Sequence, residues 1–192
     1  MGITLQQLGR LEESEASYAQ AILSKPDYAE AHSNLANTLK ELSRLEEAET
    51  SYTKAISFKP DYPEAHINVG NMLKELGRLD EAEACYKKVI SLKPDYAEAH
   101  INLGNTLKEL GRLKEAEDNY SQAISLKPNY AEAYSNLGIT LQELGRLEEA
   151  EANFTQAISL KPNYAEAYSN LGITLQELGR LKDAITSYTK AI

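Results

Sequence analysis

Three histidines, His32, His66 and His100, could ligate a metal ion, and a single cysteine, Cys85, could serve as a nucleophile. Their spacing argues against both. The histidines fall 34 residues apart, at the place that Tyr134 and Tyr168 take elsewhere, so they read as packing residues. Cys85 stands where Ser17, Ser51 and Asn119 stand, with no positioned base near it in sequence. One thiol rules out an intramolecular disulfide and any cysteine-based zinc site. Every Asp and Glu fits a helix start or a solvated face, and no pair departs from the period as catalytic carboxylates would. The expectation is a chain that is not an enzyme and that needs no cofactor or metal.

A different series has chemistry of its own. Asn34, Asn68, Asn102, Asn136 and Asn170 recur every 34 residues, with Asn37, Asn71 and Asn105 three residues after the first three of them. A carboxamide offers a donor and an acceptor together, and so pairs with the N–H and C=O of an extended peptide without reading its side chains. Lys40, Lys74 and Lys108 complete the series, with Glu41, Glu75 and Glu109 beside them.

These residues need elements to carry them, and the whole chain supplies one at a period of 34. Counted from Ala29, complete units span 29–62, 63–96, 97–130 and 131–164, preceded by a partial unit, 1–28, and followed by another, 165–192. The expectation is a single array. In the first complete unit, apolar residues recur at helical spacing over His32, Leu35, Ala36, Leu39 and Leu42, and again over Leu45, Ala48, Tyr52, Ala55 and Ile56. Each unit therefore reads as two amphipathic helices, and the fold class as all-α. Pro26, Pro60, Pro94, Pro128 and Pro162 stop the preceding helix. Gly9, Gly77, Gly111, Gly145 and Gly179 mark the turn between paired helices, with Ser43 as the exception. Asp27 or Asn129, three residues before Glu30 or Glu132, has the spacing of a capping box.

At 100° per residue, the stripe opposite the core collects the second, fifth, sixth, ninth, twelfth and thirteenth places of a unit. In the first complete unit these are Glu30, Ser33, Asn34, Asn37, Lys40 and Glu41. Stacked helices lie about 10 Å apart, or about three residues of extended chain at about 3.3 Å each. One asparagine per three peptide residues is a feasible match. The stripe changes along the chain, since Ile3, Ile139 and Ile173 replace the second asparagine and Gln6, Gln142 and Gln176 replace the lysine.

The pattern H/Y-x-x-L-G-x-x-L, then A-x-x-x-Y, then P, once per 34 residues, resembles the tetratricopeptide repeat family over the whole chain. An aromatic is usual where Leu39, Leu73 and Leu107 stand. The resemblance implies an α-solenoid of helix-turn-helix repeats forming a right-handed superhelix, with first helices on its concave side and stability drawn from packing between neighbours. The asparagine series further resembles the asparagine ladder of O-GlcNAc transferase-like proteins, which implies capture of an extended protein substrate. The expected function is a protein-interaction scaffold that binds an extended peptide or partner protein in its concave groove. Two alternatives stand beside it: head-to-tail stacking of copies into superhelical filaments, and the recognition arm of a larger glycosyltransferase-like enzyme.

Acidic residues exceed basic ones by 29 to 20, for a formal charge of −9, so nucleic acid and anionic membranes are not expected partners. Asn119-Tyr120-Ser121 and Asn153-Phe154-Thr155 match the glycosylation acceptor pattern but fall inside the expected helices. No apolar run is long enough to span a bilayer, and cytoplasmic residence is the default expectation. The phrase MGITLQQLGRL reads as the second half of a first helix, with Met1 in the place of Leu137.

Overall fold

The computed structural model describes residues 2–192, so Met1, read above as the counterpart of Leu137, lies outside the described residues. Among these residues there are twelve helices and no strand. They fall into two units, Met1–Gly77 and Arg78–Ile192. The first holds α1 (Gly2–Gln7), α2 (Leu11–Ser24), α3 (Ala29–Glu41), α4 (Leu45–Phe58) and α5 (Pro63–Glu75). The second holds α6 (Leu79–Leu92), α7 (Ala97–Glu109), α8 (Leu113–Leu126), α9 (Ala131–Glu143), α10 (Leu147–Leu160), α11 (Ala165–Glu177) and α12 (Leu181–Lys190).

Within each unit every helix packs on the next, and in the second unit α7, α9 and α11 also touch in succession. This is the neighbour-on-neighbour packing of an α-solenoid. Apolar burial drives it. Ala36, Leu39, Ala48, Tyr52 and Met72 form one continuous cluster, with Leu35 and Val69 packed against it.

The turns between paired helices follow from backbone chemistry. Gly111 has φ of 74°, its N–H bonds the Lys108 carbonyl at 2.9 Å, and the Arg112 N–H bonds the Leu107 carbonyl at 2.9 Å. This is a Schellman closure, which satisfies two carbonyls that the helix end would otherwise leave open. Ser43 adopts the same left-handed conformation, with φ of 61°, without glycine's freedom.

The helix starts differ from the capping-box expectation. The caps of α3 and α9 are Tyr28 and Tyr130, and neither start has a side-chain cap bond. Asp27 and Asn129 lie one residue outside the cap position, and the Tyr28 carbonyl instead accepts from Ala31 and His32 at 3.0 and 3.1 Å. Glu30 turns to Lys59 Nζ at 2.6 Å, and still complements the helix dipole from the first turn.

Arginines at the starts of the second helices tie neighbouring repeats together. Arg44 reaches Glu47 at 2.7 Å and Glu15 of the preceding repeat at 2.7 Å. Arg112 with Glu83 and Arg180 with Glu151 repeat the second pairing, each at 2.7 Å.

Candidate functional site

The eleven residues singled out in sequence lie on the first helices. Asn34, Asn37 and Lys40 are on α3, Asn68, Asn71 and Lys74 on α5, Asn102, Asn105 and Lys108 on α7, Asn136 on α9 and Asn170 on α11, and all are half-buried. In the first unit Asn37, Lys40, Asn68 and Asn71 line a cleft of about 370 Å³ together with Gln6, Glu41 and Tyr52.

The asparagines are built into hydrogen-bonded triads. Asn37 Oδ1 accepts from the Tyr52 hydroxyl and, at 3.1 Å, from Asn68 Nδ2. Asn105 Oδ1 accepts from the Tyr120 hydroxyl at 2.7 Å and from Asn136 Nδ2 at 3.0 Å. Each triad links a second helix, its own first helix and the first helix of the next repeat. Two donors converge on one oxygen, so the amide nitrogen of Asn37 or Asn105 is turned away from them. Asn68 and Asn136 each spend one N–H on the triad and keep Oδ1 and the other N–H.

The tyrosine hydroxyls remain donors across the ordinary pH range. Burial raises the pKa of Tyr52 and Tyr120 above the usual phenol range, and the nearby carboxylates of Glu75 and Glu41, or of Glu143 and Glu109, push in the same direction. These tyrosines read in sequence as plain core. The one trace of them in the sequence is an exchange in a single repeat: Tyr120 accompanies Asn105 fifteen residues before it and Phe154 accompanies Ile139, although Tyr18 and Tyr188 accompany Ile3 and Ile173.

Charges along the stripe pair between repeats. Lys40 Nζ lies 2.7 Å from Glu75, Gln6 Nε2 donates to Glu41 at 2.6 Å, and Gln142 Nε2 donates to Glu177 at 3.2 Å. Lys40 is thus a neutralised rim residue. Asn34 and Asn170 contribute only backbone carbonyls, which accept from Thr38 and Thr174 at 3.1 and 3.0 Å; among the described residues their carboxamides have no partner.

One expectation about the stripe needs correction. The fifth place does not belong to the open stripe, since Ser33, Ile67, Ile101 and Ser135 are buried. Ile101 packs on Ala123 and on Ala133 of the next repeat, with Tyr130 against the same cluster, so the neighbour covers what one helix alone would leave open. The thirteenth place is solvated, as expected: Glu41, Glu75 and Glu177 are exposed, and they accept the pairing just described.

The histidines have a definite structural use. Nε2 of His32 and His66 lies 2.9 Å from the carbonyls of Pro26 and Pro60. A carbonyl only accepts, so Nε2 carries the proton and has no lone pair for a metal. Cys85 is half-buried, and this burial, with Glu81 nearby, pushes its thiol pKa up to about 11 and keeps it protonated at neutral pH. No group of three or more His, Cys, Asp or Glu side chains among the described residues is arranged to hold a metal ion. No helix among them is long and apolar enough to cross a membrane.

Comparison with known proteins gives one answer throughout. Residues 70–111 and 104–145 match a family model described as TPR repeat, and residues 1–28, 29–62, 51–84 and 130–192 match models described as Tetratricopeptide repeat. No curated protein matches the sequence. Among solved structures, MamA is 25% identical, with 82% of this chain and 92% of that one covered at a TM-score of 0.77. YrrB, described as a TPR protein with an unusual peptide-binding site, is 27% identical over 91% of this chain and 90% of that one, at a TM-score of 0.75. PilF of Pseudomonas aeruginosa shares the fold at a TM-score of 0.86, with 18% identity over 97% of this chain and 85% of that one. With its 34-residue period, its stacked helix pairs and family matches from one end to the other, the chain belongs to the tetratricopeptide repeat family.

Proposed function

We propose that the chain is a non-catalytic interaction scaffold whose first helices hold an extended peptide along the asparagine stripe. The observation that carries this reading is the triad. Tyr52 and Tyr120 fix the acceptor oxygens of Asn37 and Asn105, and those oxygens in turn hold Asn68 and Asn136. Carboxamides set before the ligand arrives lose little rotational freedom on binding, which is the cost that most weakens peptide recognition. The likeness to YrrB, described as carrying a peptide-binding site, points the same way.

The test uses peptides of twelve residues selected on the intact chain from a random display library, labelled and titrated by fluorescence anisotropy. Asn136→Ala lowers affinity by about tenfold or more, while the far-ultraviolet circular dichroism stays that of the parent. Unchanged affinity rejects the asparagine groove.

A further inference from the structure

In one repeat of the second unit, 131–164, the ninth and twenty-fourth places change together. Asn105 meets Tyr120, whereas Ile139 is matched with Phe154, which is fully buried. The exchange removes acceptor and donor at once and so leaves no polar atom orphaned. Where isoleucine keeps a tyrosine, the hydroxyl must fend for itself: Tyr188 turns to Gln176 Oε1 at 3.2 Å, and the buried Tyr18 hydroxyl, beside Ile3 in sequence register, has no partner. Ile139 with Phe154 is therefore a matched replacement, and it frees Asn170 from the bond that Asn105 makes to Asn136.

The charges shift in the same two repeats. Gln142 and Gln176 replace the lysines, while Glu143 and Glu177 remain and are exposed. Lys108 is the last cation of the stripe. The groove face of α9 and α11 thus presents half-buried Ile139, Ile173 at 40% exposure, the partnerless carboxamide of Asn170 and two exposed carboxylates.

We infer that this stretch is a specificity subsite for an apolar side chain of an extended peptide that also carries a neighbouring lysine or arginine. The inference rests on the peptide-binding reading above and adds which peptide is chosen. Asn105 and Asn136 hold backbone, while Ile139 and Ile173 receive the apolar side chain. Asn170 pairs with the amide of that same residue, and Glu143 and Glu177 attract the basic neighbour. At one repeat per about three extended residues, the apolar side chain falls about three positions from the residue held at Asn136.

The experiment uses the display-selected peptides and measures each beside two substituted forms, apolar→Ser and basic→Glu. The intact chain loses about tenfold in affinity for each substituted form, as expected for one buried aliphatic side chain or one matched charge. Ile139→Asn with Phe154→Tyr, which rebuilds the triad of the preceding repeat, abolishes the preference for the apolar residue while the peptide still binds. Ile173→Ser, at an exposed position, reports the same preference should the double variant fail to fold. Equal affinity for parent and apolar→Ser peptides, or a preference untouched by these variants, overturns the subsite and leaves the groove reading intact. Failure to select any peptide, or affinity indifferent to Asn136→Ala, overturns the groove reading itself.

Discussion

The Tyr120 hydroxyl donates a hydrogen bond of 2.7 Å to Asn105 Oδ1, fifteen residues before it on the partner helix of the same repeat. Tyr52 and Asn37 repeat the relationship in the first unit. A tyrosine whose ring is core thereby sets the orientation of an asparagine on the first helix, so packing and the proposed recognition surface share one residue.

Removing only the hydroxyl should expose that sharing. Tyr120→Phe is expected to lower stability by about 1 kcal/mol, the net worth of a buried hydrogen bond. Asn105→Ile alone leaves the hydroxyl without its acceptor and should destabilise by more. The double variant recreates the Ile139 and Phe154 pairing, so its loss should be smaller than the sum of the two single losses by about 1 kcal/mol. Urea denaturation of the four proteins closes the cycle, and strict additivity would show that the two side chains are not coupled.

Ser43 offers a simple gain. It holds φ of 61° where Gly9, Gly77, Gly111, Gly145 and Gly179 stand in the other repeats. A left-handed conformation costs a residue with a Cβ about 1–2 kcal/mol, and the greater freedom of glycine in the unfolded chain offsets about 0.4–1 kcal/mol of that. Ser43→Gly should therefore stabilise by about 0.5–1 kcal/mol, read as a higher urea midpoint at constant slope. Ser43→Val, which adds a branched Cβ at the same φ, should move the midpoint down.

The helices, their turns and the stripe of asparagines were all legible in the sequence, because each leaves a periodic trace. Apolar spacing places the core, and glycine marks the left-handed residue. What one helix's period omits is its neighbour. Ser33 and Ile101 fall on the open side of a helical wheel, yet both are buried, Ile101 in a cluster with Ala133 of the following repeat. Periodicity also assigns a residue by the direction of its Cβ, whereas the tyrosine hydroxyl acts at the far end of a long ring. Tyr52 and Tyr120 therefore read as core although their oxygens reach Asn37 and Asn105 on the first helices. Asp27 failed as a cap for a similar reason, since its spacing to Glu30 suits a box while Tyr28 occupies the cap position itself.

Close approach of paired helices gives a graded test at Gly104. A Cβ there would lie 2.7 Å from a ring carbon of Tyr120, so one of the two must move. The equivalent residue in the first complete repeat is Ala36, fully buried in the cluster that contains Tyr52, so one methyl group is tolerated when its surroundings adjust. Gly104→Ala should cost about 1 kcal/mol and Gly104→Leu about 3 kcal/mol, the range for overpacking a filled core. Thermal unfolding followed by circular dichroism measures both, and equal melting of the two variants would show that the helices separate freely here.

The link between second helices should make stability depend on acid. Glu83 has a side chain only 10% exposed, and accepts from Lys87 at 2.6 Å and from Arg112 at 2.7 Å. Lys87 first, and Arg112 after it, hold its carboxyl below the usual carboxylate range against the opposing effect of burial. A carboxylate with a depressed folded pKa binds protons more readily when the chain is unfolded. Its contribution is therefore complete above the unfolded pKa of about 4.3, and is lost as pH falls through the lower folded value. Glu47, Glu115 and Glu149 are held down in the same direction by their arginines, at exposed positions where salt screens the effect. Urea midpoints should accordingly stay level from pH 7 to about pH 5 and fall below it. Glu83→Gln should lower stability by about 1 kcal/mol at pH 7 and flatten that fall. As pH falls toward the folded value the gap between variant and parent should narrow, because the parent's Glu83 then loses its charge as well. A difference that persists undiminished as pH falls would assign the loss to packing and not to charge.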